Sequence, residues 1–347
     1  MIMNQFKTKT LAGVVLALAS SAVLAMSPKY DAPKTPEAPK AEVSAPAKAA
    51  QPNTTVPAGL TAQTSDYSGC TSWDGPVNIL EKLANEGNVM AQYSLGALYL
   101  QGSDTVKANE KLGVEWLKKA AAQNFACANM DLATHVESRS ATEAFAYYKK
   151  AADLGLRQAQ FFTASAYEGG NGVEKNPKLA YEYYLKAAQQ NHDWAQYTLA
   201  TMLEKGIGTQ KDPKAAIEWY TKSANNGRFD AQLRLGEIYF DGINTEKDYA
   251  KALHYFKDLA EDGYVVAQVD LAQMYLNGWG VKVDVKKAIK LLTLASNHNS
   301  DDANILLGDL YAQGKQVPKD LKKARHYYNL SCKEKVALAC ERIKALK

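Results

Sequence analysis

The chain is 347 residues long and carries 41 Lys and Arg against 37 Asp and Glu, a formal charge of +4 at pH 7. So even a balance offers nucleic acid or an anionic membrane no electrostatic footprint, and neither is expected as a partner. The length allows a sizeable core, but the residues are not ordered like those of one compact globule.

Lys7 and Lys9 precede an uncharged apolar run from Leu11 to Leu24, which closes in Val23-Leu24-Ala25. A run of about 14 residues is too short for a membrane span, which needs roughly 20, and the small residues at its end fit signal-peptidase cleavage. Residues 1–25 are therefore predicted to be a signal peptide cleaved near Ala25. The mature protein is then periplasmic or secreted, without membrane insertion. No Cys follows the run, so no lipid anchor is expected there. From 26 to 65 the chain is Ala, Pro, Lys and Thr, with prolines at 28, 33, 36, 39, 46, 52 and 57. Such a stretch buries too little surface to offset its ordering entropy and is expected to be a disordered linker, either a spacer or a plain leader.

An N-terminal cap is expected over 66–90, in which Pro76 to Glu86 supplies one lone helix. Beyond it an alanine recurs at Ala91, Ala128, Ala159, Ala195, Ala231, Ala267, Ala303 and Ala339, at spacings of 37, 31 and then 36 throughout. A period of this length means stacked supersecondary units, none of which covers its apolar face without neighbours.

Four residues after the anchor alanine stands Leu95, Leu132, Thr163, Leu199, Leu235, Leu271 or Leu307, followed by Gly or Ala. Three residues later comes Tyr99, Val136, Tyr167, Leu203, Tyr239, Tyr275 or Tyr311. On a helical wheel these positions span about 140°, one packed stripe with small residues where a neighbouring helix approaches. This helix A stops at glycines such as Gly170-Asn171-Gly172, Gly206-Ile207-Gly208 and Gly278-Trp279-Gly280. They follow a helix and no Gly-Lys-Ser/Thr succeeds them, so they are caps and not a phosphate cradle. Asn176, Asp212, Asp248, Asp284 and Asp320 are placed to N-cap a helix B. Helix B repeats an alanine and an aromatic pair: Ala180 with Tyr183-Tyr184, Ala216 with Trp219-Tyr220, Ala252 with Tyr255-Phe256, Ala324 with Tyr327-Tyr328. It ends at Gly87, Asn124, Gly155, Asn191, Gly227, Gly263 and Asn299, residues that tolerate a left-handed conformation. The layout is thus seven repeats over 91–335 and a capping helix over 336–347.

The pattern Ala-Gln-x-x-Leu-Gly-x-x-Tyr-x-x-Gly-x-Gly-Val-x-x-Asp-x-x-Lys-Ala-x-x-Tyr-Tyr-x-Lys-Ala-Ala resembles the Sel-1-like repeat family, relatives of the tetratricopeptide solenoids. Ala159 to Asn191 and Ala195 to Gly227 match it almost throughout. Departures are the second unit, five residues short between Val136 and Ala144, and the seventh, with Gly314-Lys315-Gln316 in place of Gly-x-Gly. The resemblance implies an all-α fold, a right-handed superhelical solenoid of about seven helix-turn-helix repeats with terminal capping helices. Cysteine-rich members of the family staple adjacent helices, and on that likeness Cys332 and Cys340 are expected to pair. Cys70 and Cys127 are then left for each other, because Cys127 and Cys332 lie near opposite ends of the solenoid. Finding both alkylatable in the folded, non-reduced protein would refute that second pairing.

The resemblance also implies a beta-lactamase-like hydrolase, since some exported relatives are held to be beta-lactamases. The chain has no Ser-x-x-Lys, Gly-x-Ser-x-Gly or His-Glu-x-x-His, and its five histidines fall in different units without metal-ligand spacing. No enzyme, cofactor or metal is expected. In this family's architecture helix A lines the concave wall, and positions 2, 3, 6 and 9 lie away from the packed stripe. Tyr93, Phe161, Phe162 and Tyr197 give that wall an apolar strip, while Arg234, Glu237, Asp270 and Asp309 make its other half charged. Thr198, Gln273 and Leu306 stand at the same positions. Aromatic and Arg residues on such a wall are candidate hot spots. The expectation is a monomeric, non-catalytic scaffold or adaptor that holds a protein or peptide in the groove. An immunity protein against a secreted toxin is the alternative, and a beta-lactamase-like hydrolase the weaker one.

Overall fold

The computed structural model describes residues 60–62, 70–73 and 75–346, all within the unit Thr55–Lys347. The expected signal peptide and most of the expected linker lie outside the described residues. In chain order the elements are β1 (Leu60–Ala62), β2 (Thr71–Trp73), α1 (Val77–Asn85), α2 (Val89–Gln101), α3 (Glu110–Ala122), α4 (Ala126–Val136), α5 (Ala141–Asp153), α6 (Arg157–Gly169), α7 (Pro177–Gln189) and α8 (Asp193–Lys205). There follow α9 (Pro213–Asn225), α10 (Phe229–Asp241), α11 (Tyr249–Glu261), α12 (Val265–Asn277), α13 (Val285–Asn297), α14 (Asp301–Gln313), α15 (Leu321–Lys333) and α16 (Ala337–Ala345). Seven A–B pairs run from α2–α3 to α14–α15, with α1 a lone B helix before them and α16 a lone A helix after them. The chain is an all-α repeat solenoid. One exception is the antiparallel ladder of β1 with β2, in which Leu60 faces Trp73; β1 falls inside the stretch to which the composition gives no fold.

The anchor alanines are fully buried from Ala91 to Ala339, as are Leu95, Leu132, Thr163, Leu199, Leu235 and Leu307 four residues on. One position further, glycine is required by contact: a Cβ on Gly96, Gly236 or Gly308 would run into Leu117, Phe256 or Tyr328 of the following B helix. Each of Asn176, Asp212, Asp248, Asp284 and Asp320 accepts the backbone N–H three residues later, at 2.9–3.1 Å. Asn109 and Ser140 do the same in the first two repeats. The short second unit is explained by α4: its A helix is 11 residues against 13 in the other repeats, and it passes to α5 without a glycine loop.

Two polar pairings fasten the repeats. The glutamine after the anchor alanine donates to a carbonyl eight residues earlier, as Gln92 to Ala84 (3.1 Å), Gln160 to Ala152 (3.3 Å) and Gln196 to Ala188 (3.2 Å). Its own amide oxygen accepts from the residue closing the next B helix, as Gln123 to Gln92 and Gln190 to Gln160. In these repeats buried amides that would otherwise be unsatisfied tie one turn to the one behind it, whereas the Gln268 amide oxygen is buried without such a partner. Both disulfides are formed, Cys332–Cys340 joining α15 to α16 and Cys70–Cys127 joining the N-terminal segment to α4.

Candidate functional site

Counted from the anchor alanine, positions 2, 3, 6 and 9 of successive A helices meet one another. Arg234, position 3 of α10, is ion-paired with Glu204 at position 9 of α8 and with Glu237 one turn along its own helix. Arg342 Nε of α16 lies 3.3 Å from Asp309 Oδ1 of α14, which also accepts the Tyr328 hydroxyl at 2.6 Å. The Tyr93 hydroxyl of α2 donates to Asp131 of α4. These side chains therefore share one face along the row of A helices.

Most of the expected aromatics are half-buried on that face and hold it together. Phe162 stacks on Tyr148 (5.1 Å between ring centres), Phe161 on His192 (4.6 Å), and Tyr197 leans on Tyr220 (5.6 Å). Thr198, Gln273 and Leu306 are half-buried there too. Tyr93 departs from the expectation of an open wall: it is 8% exposed, its ring against Phe125 at 5.1 Å, in a core shared with Cys70, Met90 and Cys127. His192 is a helix cap, its Nδ1 accepting the Ala195 N–H at 3.3 Å.

Position −1 belongs to the same face and the sequence reading passes over it. It lies four residues before position 3, and at about 100° per residue positions −1, 3, 6 and 10 fall within some 60° of each other, opposite the packed stripe. Trp194 is 47% and Val266 54% exposed here, and Asp302 is exposed as well. Beside Trp194 the Arg228 guanidinium sits 3.3 Å from the ring centre, and Phe229 stacks on Tyr264 at 4.8 Å, so an aromatic row borders the face.

The charge on the wall is unevenly neutralised. Glu204 and Asp309 have basic partners, whereas Asp241, Asp270 and Asp302 have neither an ion pair nor a hydrogen bond to a side chain among the described residues. Burial, with the carboxylates of Glu237, Asp302 and Asp241 nearby, pushes the Asp270 pKa up to about 8. Burial first, and then Asp301, raises that of Asp302 as well. Asp131 is driven up to about 6 by burial, against the pull of the Tyr93 hydrogen bond.

An acid whose folded pKa lies above its unfolded one binds its proton more tightly when folded, so its contribution to stability declines as pH rises through the interval. For Asp270 that interval runs from about 4 to 8. The melting temperature of Asp270→Asn should therefore match wild type near pH 4 and exceed it by a widening margin toward pH 8. A constant difference across that range would contradict the assignment. Arg234→Ala should lower stability by about 2 kcal/mol in urea unfolding, because it strands Glu204, whose side chain is 12% exposed, without its cation.

The Sel1 repeat family model matches residues 89–125, 137–156, 157–192, 195–227, 229–264, 265–300 and 301–335. No curated relative matches the sequence. Among solved structures, the chain is similar to c5321, a protective antigen present in uropathogenic Escherichia coli strains and displaying an SLR fold. Identity is 27% and the TM-score 0.68, over 79% of this chain and 59% of that one. The chain thus spans about three fifths of that protein's length. It is also similar to a Sel1 repeat protein from Oxalobacter formigenes, at 28% identity and a TM-score of 0.57 over 78% of this chain and 80% of the other. Among the described residues no helix is long and apolar enough to cross a membrane, and no group of three or more His, Cys, Asp or Glu could hold a metal ion.

Proposed function

The chain belongs to the Sel1 repeat family, and from that premise we propose that it is a non-catalytic, exported scaffold that holds a protein partner along the exposed face of its A helices. The observation that carries this reading is a contrast inside one molecule. Positions 0 and 4 are nearly constant and buried in every repeat, while from the third repeat onward positions −1, 3 and 6 change from Trp194 and Thr198 to Asp302 and Asp309 and keep exposed surface. Stacking explains the first set; solenoids of this kind present extended binding surfaces with the second. Disulfides persist in oxidising compartments, so the Cys70–Cys127 and Cys332–Cys340 bridges support a periplasmic or extracellular setting, as does the apolar leader from Leu11 to Leu24.

The wall also indicates the partner's character. Aromatic rims at Phe161, Phe162 and Trp194 suit apolar anchors, and the exposed carboxylates of Asp241 and Asp302, which have no basic partner among the described residues, suit lysine or arginine beyond them. The test is affinity capture from periplasmic extract with wild type and a Trp194→Ala, Val266→Ser, Asp302→Asn variant. A protein retained by wild type and lost by a variant of unchanged helicity is expected; equal retention would refute the wall. Capture of a toxin, with rescue of its activity on release, would make the scaffold an immunity protein.

A further inference from the structure

The repeats act as internal controls for one another, and the first two differ from the rest on the wall. At position −1, Trp194, Val266 and Leu338 are 47%, 54% and 42% exposed, yet Met90 and Cys127 are only 8% and 5% exposed. At position 3, Ser94 is 5% exposed where Phe162, Thr198, Arg234, Asp270 and Leu306 keep surface in water. Nothing in α2 or α4 demands this, since both bury the usual stripe through Ala91, Leu95, Ala128 and Leu132. What differs is the chain that precedes them. Cys70 is itself 5% exposed, is bonded to Cys127 at position −1 of α4, and joins one apolar core with Val89, Met90 and Tyr93. The strand β2 follows it directly.

We infer that the N-terminal segment carrying Cys70 and β2 is a ligand in cis, closing the wall of the first two repeats, with the Cys70–Cys127 bridge as its latch. This rests on reading the A-helix face as the binding surface. Opening the latch lengthens that surface by Met90, Tyr93, Ser94 and Asp131. A small dithiol would open it: the bond between the two sulfurs breaks, each sulfur gains an electron and a proton, and the dithiol gives up both pairs to form its own disulfide. The bridge closes a separation of 57 residues, so once it is cut only non-covalent contacts keep the segment in place.

Methionine oxidation reads the wall without any partner, so this inference can fail while the binding reading stands. In the full chain exposed to hydrogen peroxide, sulfoxide at Met90 should form about tenfold faster in Cys70→Ser, or after dithiol treatment of wild type, than in the oxidised wild type. Met130, Met202 and Met274, each at most 2% exposed, report on folding in the same spectrum and should stay protected. An unchanged Met90 rate would overturn the proposal, because the segment would then stay without its latch. A joint rise at all four methionines would overturn it too, since the bridge would then be a staple of the whole fold.

Discussion

Replacing Gly208 by alanine should lower the stability of the solenoid by about 3 kcal/mol, read as a shift in the urea midpoint followed by helicity. Two causes add. Gly208 has φ +69°, a conformation that disfavours a side chain by roughly 1–2 kcal/mol. A Cβ there would also overlap the Pro177 carbonyl at the start of the preceding B helix, and a backbone atom has nowhere to move. The control is Gly227→Ala: φ is +84°, but nothing lies within 4 Å of the added carbon, so only about 1 kcal/mol is expected. The difference between the two variants measures how tightly one repeat's loop seats on its neighbour. Equal losses would show that the Gly-x-Gly loop is only a cap.

That seating role marks a limit of what the residues disclose by themselves. The glycine pattern announces helix ends, and the ends fall where it places them: Gly170, Gly206, Gly242, Gly278 and Gly314 all adopt positive φ after an A helix. It does not announce the inter-repeat contact, because Pro177 stands 31 residues before Gly208 and only the stacked fold brings them together. In the fifth repeat asparagine takes the same loop position, Asn244 at φ +57°, as a residue that tolerates the left-handed region.

A second pairing was legible but requires comparing repeats two positions at a time. In the third, fourth and fifth repeats the second aromatic of helix B reaches position 9 of its own A helix, and in the seventh Tyr328 reaches Asp309 at position 6 instead. Tyr184 donates to Glu168 at 2.7 Å and Tyr220 to Glu204 at 2.9 Å. Where helix B has Phe256 the partner is Phe240, and where it has Leu292 the partner is Leu276. Tyrosine meets carboxylate, and apolar meets apolar, because a hydroxyl buried here must find an acceptor.

The wall was legible only in outline. Wheel geometry separates positions 2, 3 and 6 from the packed stripe, and the structure gathers them on one face. It cannot say which of them carries surface into solvent: Phe162, Tyr197 and Arg234 are occupied by Tyr148, Tyr220 and the Glu204–Glu237 pair. Those three hold the face together, so truncating them would disturb the wall as well as any binding. Trp194 and Val266, one residue before the anchor, offer more area at less structural consequence. Nor could composition show that Tyr93 is sealed, since what seals it is a segment tied down through Cys70.

The central claim is that binding resides on the A-helix face, and the most direct measurement is the affinity of one captured partner for two variants. One changes the wall (Trp194→Ala, Val266→Ser, Asp302→Asn); the other changes exposed B-helix residues (Glu182→Ala, Glu218→Ala, Leu294→Ala). Calorimetric titration should give the B-helix variant the dissociation constant of wild type and weaken the wall variant by about a hundredfold, roughly 2.7 kcal/mol. Equal affinities for wild type and the wall variant, or a loss confined to the B-helix variant, would place the partner elsewhere on the solenoid and contradict the account.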